Sequence, residues 1–100
     1  MKPFPWRPGM RTTTGRRLTE HGEGSIPPLH ATPDPNDPAT LGALLGVVRE
    51  VHSAPRAYLW PNRGASEWAV YCETTLSQRE PLGAGPTEFD ALLDAYEAAP

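Results

Sequence analysis

A chain of 100 residues with 38% hydrophobic residues, 21% charged residues and 13 prolines has room for one small domain with a thin core, not for a two-domain enzyme. Its net charge is −3 and it holds one cysteine, Cys72, which excludes an internal disulfide framework and fits a reducing compartment. No apolar run approaches the roughly 20 residues that span a bilayer. No secretory signal pattern opens the chain, so a cytoplasmic protein without a membrane partner is expected.

The charge is unevenly spread. Residues 1–30 hold five cations against two carboxylates, and residues 31–100 hold four against ten. Pro3, Pro5 and Pro8, then Pro27, Pro28, Pro33, Pro35 and Pro38, each fix φ and remove a backbone donor. Residues 1–36 are therefore expected to form a Pro-rich, mostly irregular segment. A short hairpin is expected within it, turning at Thr13-Thr14-Gly15 because glycine tolerates positive φ.

Residues 37–100 carry the pattern of an α-β-β(-β)-α core, the whole chain forming one domain. Asp37-Pro38 supplies an N-cap acceptor and a proline at the first helical position. Leu41, Leu44, Leu45, Val48 and His52 then follow one helical face, which predicts a helix near 38–53. Gly42 and Gly46 each cost about 1 kcal/mol relative to alanine there, so close approach of another backbone is expected on their side. Residues 56–73 read as a hairpin with Trp68, Val70 and Cys72 facing inward. Residues 74–82 are a candidate third strand, and 83–87 read as a loop ending in a cap.

Thr87 with Asp90 three positions later marks the start of a second helix near 87–98. Phe89, Leu92, Leu93 and Tyr96 make its apolar stripe, and Glu88, Asp90, Asp94 and Glu97 occupy the remainder. The fold class is α+β, with a small antiparallel sheet packed against two helices that lie on one of its faces.

Three segments, Trp6 to Thr12, Asp37 to Glu50 and Gly85 to Ala99, resemble small uncharacterised proteins encoded by bacteriophages and prophages. The resemblance implies an accessory protein of a phage or mobile element, acting in a bacterial cell by binding and blocking or modulating a host protein complex, a CRISPR effector among the candidates. It assigns no catalytic residues.

The residues themselves favour binding over catalysis. His21, His30 and His52 lack the close pairing with each other or with Cys72 that a zinc site uses, so no metal or other cofactor is expected. Cys72 on an inward face reads as a small hydrophobe rather than a nucleophile for His52. The chain is expected not to be an enzyme; a small enzyme or enzyme subunit built on His52 and Cys72 stays as an alternative. The acidic face of Glu88, Asp90, Asp94 and Glu97 is the candidate partner-binding surface, suited to a cationic groove on another protein. Trp6, Arg7, Arg11, Arg16 and Arg17 mix an aromatic ring with cations and form the alternative, a nucleic-acid contact. A homodimer is possible through an open sheet edge or the two-glycine side of the first helix.

Overall fold

The computed structural model describes residues 3–18, 31–62, 67–72 and 81–99. Its elements run in the order α1 (Pro38–Val51), β1 (Tyr58–Asn62), β2 (Glu67–Tyr71), β3 (Gly83–Gly85) and α2 (Glu88–Ala98), an α+β arrangement. Asp37 caps α1 by accepting the Thr40 N–H, with Pro38 at the first position. The helix ends where Ser53 takes a left-handed φ of 51°. Ser53 N–H then donates to the Glu50 carbonyl at 3.2 Å and Ala54 N–H to that of Arg49 at 2.8 Å, which satisfies two of the carbonyls a helix end leaves open.

The sheet is antiparallel in the order β1-β2-β3. Leu59 pairs with Val70, and Val70 with Gly83. Of the candidate strand at 74–82, residues 74–80 lie outside the described residues. The third strand falls at 83–85, in the segment read as a loop. The reason is steric. A Cβ on Gly83 would run into the backbone of Ala95, with Ala95 Cα at 2.6 Å and the Ala91 carbonyl oxygen at 2.8 Å. One on Gly85 would meet the Asp90 Cβ at 2.6 Å and the Ala91 nitrogen at 2.9 Å. The two glycines let α2 lie directly on the strand, a contact that any side chain there would prevent. The close approach expected at Gly42 and Gly46 is not made by any described residue, since a Cβ at either would meet nothing within 4 Å among them.

That contact also sets which side of α2 is covered. Ala91, Leu92 and Ala95 are fully buried, while Phe89, Leu93 and Tyr96 are only half-buried. Small residues face the glycine strand, and the expected stripe is rotated partly away from the sheet. Of the two helices, α2 makes the more extensive contact with the strands, and α1 packs chiefly against α2. Leu44 and Val48 of α1 join Val70, Ala91, Leu92 and Ala95 in one core. His52 braces the two helices by donating from Nε2 to the Ala95 carbonyl at 2.6 Å.

Both free edges of the sheet are partly closed by side chains. On β3, Ala84 N–H donates to the Asp94 carboxylate at 3.0 Å. Beside β1, Arg49 Nε donates to the Ala57 carbonyl at 2.8 Å, and Pro61 has no N–H to offer. Such groups blunt edges that would otherwise pair with another strand.

Within the described part of the N-terminal segment, residues 10–18 form a short hairpin. Arg11 bridges Arg17 and Thr12 bridges Pro33, with Gly15 at φ 93° in the turn. Met10 and Leu18 from this hairpin are buried in the core beside Leu44 and Val48. Two polar links fasten it to the start of α1. Arg11 N–H donates to Thr40 Oγ1 at 2.8 Å, and the Arg17 guanidinium grips both Asp37 carboxylate oxygens at 3.0 and 3.1 Å. Hydrogen bonds from Arg17 first and from Thr40 second hold the Asp37 carboxyl well below the usual carboxylate range.

A depressed folded-state pKa means that the unfolded chain binds a proton first as pH falls. The stabilisation from Asp37 is complete above its unfolded value of about 4 and is lost as pH falls toward the folded one. The melting temperature is expected to drop by several degrees between about pH 4 and pH 2. Asp37→Asn keeps an oxygen for the Thr40 N–H but loses the charge, so it should start lower at neutral pH and change less over that interval. Thermal denaturation followed by circular dichroism across the pH series checks both.

Candidate functional site

Phe4 is half-buried and stands between two aromatic partners. Its ring meets Trp6 edge-on at 4.9 Å and stacks on Phe89 of α2 at 6.1 Å with an interplanar angle of 21°. The Tyr96 hydroxyl donates to the Pro3 carbonyl at 3.1 Å. These contacts lay the first residues along α2, while the bridge at Thr12 and Pro33 brings residues 31–36 to the same side.

Between them runs a groove of about 770 Å³, its apolar floor made by Phe4, Pro33, Pro35, Phe89 and Leu93, with Asp90 and Glu97 also lining it. That volume falls in the range of ligand clefts, roughly 300–1,000 Å³. No lysine, arginine or histidine lines it among the described residues. Asp90 and Glu97 are both exposed. Asp90 also serves the helix cap, accepting the Thr87 hydroxyl at 2.9 Å and giving its N–H to the same Oγ1. With Leu93 between them, Asp90 and Glu97 follow the i, i+3, i+7 spacing of one helical face.

The four carboxylates expected to act as one face are therefore divided. Asp90 and Glu97 share the groove, Asp94 closes the edge of β3, and Glu88 is half-buried and outside the groove lining. The cations of the alternative nucleic-acid surface are also divided. Arg17 is committed to Asp37 and to the Gly9 carbonyl at 2.6 Å. Arg7 bonds the Trp6 carbonyl at 3.2 Å and lies 4.0 Å from Glu50. Arg11 is exposed, Arg16 is half-buried, and Trp6 is half-buried against Phe4 and the core.

Cys72 is half-buried at the end of β2 and packs against the core. His21 and His30 lie outside the described residues. The groove floor was not read from the sequence, where Pro33 and Pro35 served only as chain breakers. Its one legible signal is the sharing of a helical face by Asp90, Leu93 and Glu97. No protein-family model, curated protein or solved structure matches this chain.

Proposed function

We propose that this chain is a non-catalytic interaction protein that receives a segment of another protein in the groove between α2 and residues 31–36. The observation that carries this reading is the combination of an apolar floor with two exposed carboxylates and no cation among its described lining residues. Apolar contact supplies affinity there, and the carboxylates select a partner segment bearing arginine or lysine. Carboxylates so placed also disfavour a phosphate backbone, and Arg17 is spent on Asp37, which weighs against the nucleic-acid alternative. The partner class implied by the phage resemblance, a host protein complex, remains the biological setting of the proposal.

Display of random peptides against the immobilised protein tests it. Enrichment of sequences that combine apolar and basic residues is expected on the native chain and not on Leu93→Glu, which puts a charge in the groove floor. Equal enrichment on both removes the groove as the binding site.

A further inference from the structure

We infer that the groove takes an extended, proline-rich segment carrying two basic residues three positions apart; this rests on the groove being the partner site. Spacing carries the argument. Asp90 and Glu97 are separated by seven helical positions, about 10.5 Å along the axis at about 1.5 Å per residue. A polyproline II chain repeats every three residues and advances about 9.3 Å in doing so. Residues three apart on such a chain thus share one side and reach both carboxylates in register. In a β-strand conformation residues three apart point to opposite sides, and a helix spans the same distance only with its cations seven positions apart.

Two further features suit this occupant. The floor is made of aromatic rings and prolines, and near-parallel Phe4 and Phe89 rings give flat apolar surfaces of the kind that grooves for proline-rich segments use. A polyproline II backbone makes no internal hydrogen bonds and needs donors for its carbonyls. Asn36 lines the groove, is exposed and bonds the Asp34 carboxylate through its backbone N–H; its side-chain amide is a donor of the kind such carbonyls accept.

Fluorescence anisotropy with three labelled peptides decides the question. One is proline-rich with arginines three apart, the second has the same composition with arginines two apart, and the third is an alanine-based helix with arginines seven apart. The first is expected to bind about threefold more tightly than the second, because the second presents only one arginine to the rim. Glu97→Gln and Asp90→Asn, the latter keeping an oxygen for Thr87, are each expected to weaken the first peptide about threefold. Glu50→Gln, away from the groove, is expected to leave it unchanged.

Equal binding of the two proline-rich peptides overturns the inference, as does indifference to both groove substitutions. Tighter binding of the helical peptide, still sensitive to Glu97→Gln, overturns the extended occupant and keeps the groove. Binding of none of the three overturns both. Concentration-dependent dimerisation abolished by Glu97→Gln would seat a second copy in the groove and also overturn the inference.

Discussion

Gly83→Ala is expected to cost about 3 kcal/mol, the upper end of what overpacking costs. The added methyl has nowhere to go, because the atoms it meets belong to the backbone of Ala95 and Ala91, and backbone in a hydrogen-bonded helix cannot turn aside as a side chain does. Relief requires α2 to lift from β3, which would open the core around Leu92 and Val70. In a domain of 100 residues the penalty corresponds to a melting temperature lower by more than about 10 °C. The contrast lies in α1. Gly42→Ala and Gly46→Ala place a methyl in open space, and each is expected to stabilise by about 0.5–1 kcal/mol through helix propensity. Urea denaturation of the three variants measures the differences. A Gly83→Ala protein as stable as the native chain would mean that α2 does not seat on β3 as described.

Leu92→Ala and Leu93→Ala are expected to separate folding from binding at adjacent positions. Leu92 is fully buried in the core, and its truncation should cost about 3 kcal/mol, within the range for leucine in a well-packed interior. Leu93 is half-buried in the groove floor. Its truncation should cost less than about 1 kcal/mol, yet weaken peptide binding about tenfold, as the loss of a central apolar contact does. Denaturation and anisotropy on the same two proteins give both values. A large stability loss in Leu93→Ala, with binding of the refolded protein intact, would place Leu93 in the core instead.

Both predictions depend on the phase of α2, which sequence periodicity read incompletely. Phe89, Leu92, Leu93 and Tyr96 form a valid helical stripe, and the helix is where they put it. Hydrophobic spacing records which residues avoid water when the helix is considered alone. It takes no account of how near a neighbour's backbone comes. Once Gly83 and Gly85 admit α2, alanines outrank larger residues at the contact, and Phe89 and Leu93 turn toward the groove. The third strand was obscured for a related reason: a three-residue strand holding two glycines has the composition of a loop, and only its pairing with Trp68, Ala69 and Val70 makes it a strand.

The groove was harder still to see, because residues 4, 33, 35, 89, 93 and 97 are brought together from opposite ends of the chain. The division of the acidic face has the same origin. Glu88, Asp90, Asp94 and Glu97 are alike in sequence, and only their surroundings send Asp94 to the Ala84 N–H and Asp90 with Glu97 to the groove.

By itself the sequence determined the order of helices and strands that makes the α+β class, and the features that close within about four residues: the caps at Asp37 and Thr87 and the turn at Gly15. The caps and the turn depend on a side chain reaching its own neighbouring backbone, or on a φ angle that only certain residues hold comfortably. Tertiary structure alone decided which side of α2 is buried, that α1 rests on α2, that Arg17 closes on Asp37 across 20 positions, and that a groove exists. Those outcomes depend on the distance between backbones and on pairings between remote segments, and neither quantity is written in the order of residues along one element.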